Sequence, residues 1–291
     1  MKNLNRIAST WKSCILILFC VVALLLLMNS ILLSSATDST ASNNYWKNAW
    51  SISKSVPGNL INDFYVTHTA PFRMTKKQAF WTSGFMATGV IIYVFDQDIN
   101  DSFQRSRGSF VYDKIMEVGE FAEPIGLKAV TTKYYAGMFL VGVLLQNDFL
   151  TDVNLQLLET AFATYLLKSI VNQYTGRPRP NEGYDVRKWG VKGARSFFSG
   201  HCSTIFQVAT IVSHHVDYKP FSLLAYSVAT AVAFERIDSQ SHWASDVFVG
   251  SMYGIVMAKS IIRLNEKRDL NISIAPTKLG DVYGINISYN F

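Results

Sequence analysis

Two histidines and the residues around them carry the clearest chemical signal in this sequence. His242 lies six residues after Arg236 and four residues before Asp246. At the start of a helix, a spacing of four brings a carboxylate onto an imidazole nitrogen, which fixes the tautomer and leaves the other nitrogen as a nucleophile. The guanidinium of Arg236 is a permanent cation whose planar fork suits phosphate oxygens. This pattern predicts nucleophilic chemistry on a phosphate group.

Two segments upstream supply further phosphate-binding groups. The sequence Ser-Gly-His at 199–201 opens a predicted helix, and the backbone amides at a helix N-terminus bind phosphate. The sequence Gly-Arg-Pro-Arg-Pro at 176–180 closes the predicted helix over 155–174, since glycine permits a C-terminal cap and each proline holds the preceding arginine extended. We therefore expect rigid arginines beside a phosphate cradle.

These motifs, in this order, resemble those of the type 2 phosphatidic acid phosphatases, a superfamily that also includes bacterial acid phosphatases and vanadium haloperoxidases. The family pattern consists of Lys-x(6)-Arg-Pro, then Pro-Ser-Gly-His, then Ser-Arg-x(5)-His-x(3)-Asp. The matching residues lie at 179–180, 199–201 and 236–246, and the resemblance spans roughly residues 155–262. It implies an all-α helical bundle of the phosphatidic acid phosphatase/haloperoxidase type.

The resemblance also implies a role for each matched residue. His242 would be the nucleophile that takes the phosphoryl group, Asp246 would orient it, and His201 would protonate the leaving oxygen and then activate water. The phosphate oxygens would be held by Arg179, Ser199, the Gly200 amide and Arg236. No metal or other cofactor is implied, and vanadate is expected as an inhibitor or phosphate mimic.

The sequence departs from the family pattern at one important position. Asn172 stands seven residues before Arg179, where the family has lysine, and removing one donor from such a site costs about 3 kcal/mol of transition-state stabilisation. Lys168 lies one helical turn earlier on the same face, and Arg177 is a second substitute. We therefore include both among the predicted phosphate-binding residues. Two milder changes are Phe198 in place of the motif's proline and Glu235 in place of its serine.

Charge and cysteine content exclude two classes of function. The formal charge is +6, but residues 1–36 contain Lys2, Arg6 and Lys12 without any acidic residue, so the remainder carries only +3 and has no concentrated basic face. This argues against nucleic acid as a partner. Two of the three cysteines lie within residues 1–36, which leaves Cys202 alone and excludes a disulfide framework or a cysteine-based metal site.

The elements that must position these motifs are predicted to be helices. Apolar segments at 80–95, 135–148, 155–174, 203–217, 220–235 and 244–263 lack the alternation of strands. Only 16% of residues are charged and 49% are apolar, which suits a membrane protein or a helical core. The polar residues within 155–174 favour a globular bundle, and a polytopic membrane bundle remains the alternative.

The chain divides into four predicted parts. Residues 1–36 combine a basic start, an apolar run and small residues, as in a signal peptide or an N-terminal membrane anchor. Residues 37–75 are predicted to form an irregular arm, and residues 76–265 the helical phosphatase domain. Alternating apolar residues near the end predict a β-hairpin within 266–291. The acidic segment 96–101 is expected to be a solvated helix end.

The leading functional hypothesis is a metal-independent phosphatase that acts through a phosphohistidine. Its substrate would be a phosphomonoester or diphosphate, of a lipid or of a small organic compound, at the periplasmic side of the cell envelope and near the membrane surface. One alternative is a degenerate phosphate-lipid binder or scaffold without activity, because of Asn172. A third hypothesis, vanadium-dependent haloperoxidase activity, ranks lower because haloperoxidases of this superfamily generally keep the motif lysine. The oligomeric state is not determined by the sequence.

Overall fold

The computed structural model describes residues 58–279 and 282–289, and within them the fold is dominated by helices. Short 3-10 turns lie at Ala70–Arg73, Glu123–Gly126 and Pro180–Glu182. The helices of this part of the chain are α1 (58–69), α2 (Lys76–Val94), α3 (Asp96–Arg105), α4 (Phe110–Ala122), α5 (Lys128–Leu144), α6 (Asp148–Thr175), α7 (Gly200–Val216), α8 (Lys219–Asp238) and α9 (Ala244–Asn271). The predicted all-α class is confirmed. The predicted signal or anchor at 1–36 lies outside the described residues.

The core is built around α7, which packs against α6, α8 and α9. One apolar cluster joins Cys202 and Phe206 of α7 to small residues of α8 such as Ala229, so the two helices approach closely. A second cluster joins Ile211 of α7 to Ala258 of α9. Complete burial of a side chain such as Ile211 contributes about 1.5–3 kcal/mol, so this packing holds the N-terminus of α7 in place.

Glycines allow α9 to cross α7 at backbone distance. A Cβ atom on Gly250 would lie 2.4 Å from the carbonyl oxygen of Ser199, and one on Gly254 would lie 2.4 Å from that of Ser203. Real Cβ atoms do not approach oxygen so closely, so these positions of α9 require glycine. The crossing brings the start of α9 beside the start of α7.

Local sequence sets the ends of the helices that carry the motifs. Ser199 is the N-cap of α7, and its hydroxyl accepts a hydrogen bond from the amide of Cys202 at 3.4 Å. Gly176 ends α6 in the left-handed region, at φ +53, as a C-terminal cap requires. The predicted cap at 176 and the predicted helix start after 199 are both confirmed.

Several predicted boundaries are wrong. Residues 58–73 are helical rather than irregular, because α1 is tied to α9 through the ion pair of Asp63 with Arg268 and the contact of His68 with Tyr253 at 3.1 Å. The sequence analysis also missed α3 and α4, whose apolar residues are interrupted by charges. α9 extends to Asn271, so the predicted hairpin begins at 272 rather than 266.

The last described elements are two short strands. β1 (Ile272–Leu279) pairs antiparallel with β2 (Val282–Tyr289), in a register that places Ile274 opposite Ile287. The alternation of apolar residues in this segment is therefore that of a hairpin.

α2 exposes an unusual amount of apolar surface. None of its 19 residues is buried, and Trp81, Met86 and Val90 are each at least 60% exposed. Among the described residues, the stretch Ala244–Arg268 is long and apolar enough to cross a membrane, although 44% of its most apolar window is buried inside the molecule. α2 and α3 pass the same test together but bend by 63°. A mostly buried core helix of a soluble protein passes the same test of length and composition.

Candidate active site

The three predicted motifs meet at one end of α7. The amide of Ser199 donates to the carbonyl of Asp246 at 2.9 Å, which joins the start of α7 to the start of α9. The indole of Trp243 donates to the carbonyl of Pro178 at 2.9 Å, which joins the arginine-proline segment to the same place. The amide of His242 donates to the carbonyl of Arg236 at 3.1 Å and closes the turn between α8 and α9.

His242 lies at the centre of this arrangement and is only 3% exposed. Burial lowers the pKa of its imidazole well below the ordinary value, because a buried imidazolium loses its hydration. Cationic neighbours lower this pKa further. They are Lys168, Arg179, His201 and Arg236. The ring is therefore neutral at neutral pH, which is the form required of a nucleophile.

The contact between His242 and Asp246 is longer than predicted. Nδ1 of His242 lies 4.0 Å from Oδ2 of Asp246, beyond hydrogen-bond distance. The hydroxyl of Ser196 lies near both groups, 2.5 Å from Oδ2 of Asp246 and 3.5 Å from Nδ1 of His242. The spacing of four correctly brought the two side chains together, but a third side chain lies between them.

Lys168 reaches the site from α6, as its helical position predicts. Its ammonium donates to the carbonyl of Phe198, the residue before Ser199, and lies 3.5 Å from Oδ1 of Asn172. It also contributes to the lowered pKa of His242, as a nearby positive charge does. The structure thus places a cation next to the position where the family pattern has its lysine.

His201 and Arg236 meet at a carboxylate that the sequence analysis did not identify. Oε1 of Glu123 lies 2.9 Å from Nη1 of Arg236 and 3.1 Å from Nε2 of His201. Burial opposes ionisation of Glu123, but these two contacts outweigh it and its pKa is lowered. Arg236 also contacts Glu235, whose pKa is raised by burial. Two carboxylates therefore flank the guanidinium that is predicted to bind phosphate.

The same 3-10 turn packs against His201 in the first turn of α7. A Cβ on Gly126 would come within 3.1 Å of the His201 ring, so the turn Glu123–Gly126 presses directly on it. Burial lowers the pKa of His201, while Glu123 opposes this change by stabilising the protonated ring. The position is suited to a group that exchanges a proton.

Arg177, a predicted phosphate ligand, is not brought beside the other predicted ligands but into a buried ion group. Its side chain is completely buried, and its guanidinium donates to Asp246 at 2.6 Å and to Asp96 at 2.7 Å. Three aromatic rings enclose the guanidinium at 4.9–5.6 Å, those of Tyr93, Trp189 and Trp243. Both ends of its fork are therefore occupied by protein carboxylates.

The remaining predicted ligands lie at the same end of the bundle. Ser199 and Gly200 are buried at the start of α7, while Arg179 is partly exposed and has its amide bonded to Glu182 at 3.0 Å. A cleft of about 820 Å³ opens beside Lys168 and Asn172. It is bordered by further polar groups, including Tyr165, Lys192 and Arg195. Within the described residues, no group of three or more metal-ligating side chains is assembled.

Three residues near the site were missed by sequence reasoning. Glu123 lies outside the three sequence motifs, so no pattern marked it as a site residue. Ser196 lies only three residues before Ser199, so proximity to a motif was its single clue. Asp96 was expected to be solvated but is 0% exposed, since it caps the start of α9 by accepting from the amide of Ser245 at 2.8 Å.

Comparisons with known proteins agree with the motifs. The PAP2 superfamily matches residues 154–270. A lipid A 1-phosphatase from Porphyromonas gingivalis is 33% identical over 202 residues, which are 67% of this chain and 39% of that protein. The chain thus spans about two fifths of the length of this curated relative.

Two solved structures resemble this chain at low sequence identity. LpxE from Aquifex aeolicus is 18% identical, with a TM-score of 0.42, and the match covers 57% of this chain and 94% of that one. A transmembrane PAP2-type phosphatidylglycerolphosphate phosphatase from Bacillus subtilis is 17% identical, with a TM-score of 0.40 and coverage of 73% and 97%.

Proposed function

Since the chain belongs to the PAP2 superfamily through its residues 154–270, we propose that it is a metal-independent phosphatase that hydrolyses a phosphorylated lipid. The observation that carries this proposal is the charge arrangement around His242. A buried, neutral imidazole lies among cations from three different segments, namely Lys168, Arg179 and Arg236. Such an arrangement neutralises the charge of a phosphoryl group while it is transferred to an uncharged nucleophile.

In the proposed reaction, the nitrogen of His242 remote from Asp246 attacks phosphorus and the P–O bond to the leaving group breaks. His201 gives its proton to the leaving oxygen, which yields the alcohol and a phosphohistidine. Water then attacks phosphorus, the P–N bond breaks, and His201 takes the proton of the water. Inorganic phosphate leaves, and both histidines return to their starting states.

A lipid substrate is supported by two independent features. The relative with 33% identity is named a lipid A 1-phosphatase, which makes a glycolipid phosphate the first substrate to test. The exposed apolar side chains of α2 suit a molecule that works at a membrane surface. We therefore place the activity at the cell envelope, with phosphatidic acid and polyprenyl diphosphate as further candidate substrates.

The decisive experiment measures phosphate release by the purified full chain from these three lipid classes and from soluble phosphate esters, with EDTA present. His242→Ala should abolish release, whereas His214→Ala, at the exposed far end of α7, should leave it unchanged. Vanadate should inhibit competitively as a phosphate mimic. Absence of release from every substrate, or equal activity of His242→Ala, would reject the proposal.

Substitution of Lys168 distinguishes the proposed active phosphatase from the alternative of a degenerate phosphate binder. If Lys168 supplies the cation that Asn172 lacks, Lys168→Met should lower kcat/KM by about 100-fold or more, as loss of one transition-state donor does. Lys192→Met removes an exposed lysine from the same cleft and serves as the control. An inactive wild type that gains activity through Asn172→Lys would instead support the degenerate alternative.

A further inference from the structure

A chain of buried polar groups adjoins His242 on the side of its Nδ1. Ser196 is completely buried, and its hydroxyl bridges the gap between Asp246 and His242. Its amide donates to the carbonyl of Arg177 at 2.9 Å, so the backbone on which it sits is fixed as well. A buried hydroxyl with two polar neighbours and an anchored backbone has little freedom to reorient.

The hydroxyl of Ser196 can donate its proton to only one of its two neighbours. Serine has a single hydroxyl proton, and an ionised carboxylate only accepts, so the proton of Ser196 goes to Asp246. The oxygen of Ser196 then has only lone pairs to offer to Nδ1 of His242. This arrangement favours the tautomer with its proton on Nδ1, and it leaves the other nitrogen unprotonated for attack.

The carboxylate of Asp246 is in turn held from the opposite side. Its Oδ1 accepts from Arg177 at 2.6 Å, and its Oδ2 also accepts from the amide of Trp243 at 3.2 Å. The other end of the Arg177 fork donates to Asp96 at 2.7 Å. Asp96, Arg177 and Asp246 are all completely buried, so two negative charges and one positive charge are fixed away from water.

A buried ion group of this kind is weak as a source of stability, because the loss of hydration offsets the attraction between the charges. Its position beside the nucleophile suggests another purpose. We propose that Ser196 is a positioning residue that transmits the orientation of Asp246 to His242, and that Asp96 and Arg177 are positioning residues that hold Asp246. The proposal rests on the proposed phosphatase function, adds Ser196 and Asp96 from outside the three motifs, and gives Arg177 a role other than phosphate binding.

Ser196→Ala tests the bridge with minimal change of volume. It should lower kcat by about 10- to 100-fold, as loss of an orienting contact behind a reactive group does, with KM changed less than about twofold. Ser251→Ala is the matched control, since Ser251 is also buried but donates to Val247 within α9. Equal kcat for the two variants would overturn the proposal.

A double-mutant cycle separates positioning from a merely structural role. If Ser196 acts through Asp246, the double variant of Ser196→Ala with Asp246→Asn should be no slower than Asp246→Asn alone. Asp96→Asn should also lower kcat, while Asp98→Asn, an exposed carboxylate in the same turn, should not. Multiplicative losses in the Ser196 cycle would indicate independent roles and reject the bridge.

A spectroscopic measurement keeps the bridge testable even if no substrate is turned over. In the full chain labelled with ¹⁵N-histidine, the ring of His242, assigned by its loss in His242→Ala, should show protonated Nδ1. Ser196→Ala should mix the two tautomers, and Ser251→Ala should not. An unchanged tautomer in Ser196→Ala would overturn the proposal, whereas absent turnover with the expected tautomers would reject only the phosphatase function.

Discussion

A neutral imidazole among cations is the main electrostatic feature of this site at the scale of single residues. Lys168, Arg179 and Arg236, which are predicted to bind phosphate, also lower the pKa of His242, so in the proposed reaction the same charges would bind the substrate and keep the nucleophile neutral. Glu123 acts in the opposite direction, because it neutralises Arg236 and stabilises the protonated form of His201. The opposing effects of these cations and of Glu123 should be measurable in the pH dependence of the proposed activity and in the affinity for phosphate.

The pH profile of kcat/KM should have its optimum on the acidic side. The reaction needs His242 neutral and His201 protonated, so activity rises with pH through the pKa of His242 and falls through that of His201. Both pKa values are lowered, that of His242 most strongly, so both limbs lie below the ordinary histidine value of about 6.5. Steady-state kinetics from about pH 3.5 to 8.5 would test this. An optimum above about pH 7 would contradict it.

Glu123→Gln should strengthen the binding of inorganic phosphate but narrow the pH range in which His201 is protonated. Removing the carboxylate beside Arg236 should tighten inhibition by inorganic phosphate about fivefold, or about 1 kcal/mol. The same change removes the group that raises the pKa of His201, so the alkaline limb should move to lower pH. Inhibition constants and pH profiles would be compared with Glu117→Gln, an exposed glutamate of α4. Unchanged phosphate inhibition would exclude this role for Glu123.

At the scale of elements, the site depends on the crossing of α7 and α9. Ser199 is the N-cap of α7, His201 lies in its first turn, and Asp246 lies in the first turn of α9. Gly250 lies one turn further along α9 and lets the two helix starts approach at backbone distance. A small change in the separation of these helices therefore changes the distance between the predicted phosphate ligands and the nucleophile.

Gly250→Ala should impair both stability and catalysis. The added Cβ would lie 2.4 Å from the carbonyl oxygen of Ser199, and such overpacking costs about 1–3 kcal/mol. Gly84→Ala is the control, because nothing lies within 4 Å of its Cβ position in α2. Thermal unfolding and kcat/KM of the two variants would be measured in parallel. A Gly250→Ala enzyme with wild-type activity and melting temperature would show that the crossing tolerates expansion.

At the scale of the whole molecule, the question is what covers the apolar surface of α2. A helix that is apolar on all sides and has no buried residue is unusual in water. The active-site end of the bundle is polar, whereas this side of the molecule exposes Phe80, Trp81 and Phe85. Contact with lipid would cover this surface and hold the site near a lipid-bound phosphate.

Val90→Lys tests this arrangement, because Val90 is 61% exposed on α2. In lipid, a lysine on a helix costs up to about 2.5–3.5 kcal/mol, whereas on a water-exposed surface the change stays within about 0.5 kcal/mol. The full chain with Val90→Lys should therefore be depleted from the membrane fraction after carbonate extraction. Gln97→Lys, an exposed position of α3, should behave as wild type. Equal membrane retention of both variants would argue against lipid contact at α2.

The sequence by itself determined which motif residues lie together and the local structure that presents them. The order of the motifs indicated the superfamily that matches residues 154–270, and the spacing of His242 and Asp246 predicted that the two side chains lie close together. The cap residues Gly176 and Ser199 marked the helix ends at which the arginines and the predicted phosphate ligands lie. These features depend on neighbours within a few residues along the chain, which is why spacing and residue type were sufficient to predict them.

Only the tertiary structure decided which charged groups face the site. Arg177 and Arg179 are two residues apart in the same motif, yet Arg177 is buried between Asp96 and Asp246 while Arg179 remains partly exposed. Glu123 contacts Arg236, which lies 113 residues later in the sequence, and no local sequence pattern predicts that contact. Burial and pairing of a charge depend on the packing of distant helices, and they reverse the role that its chemical type alone would predict.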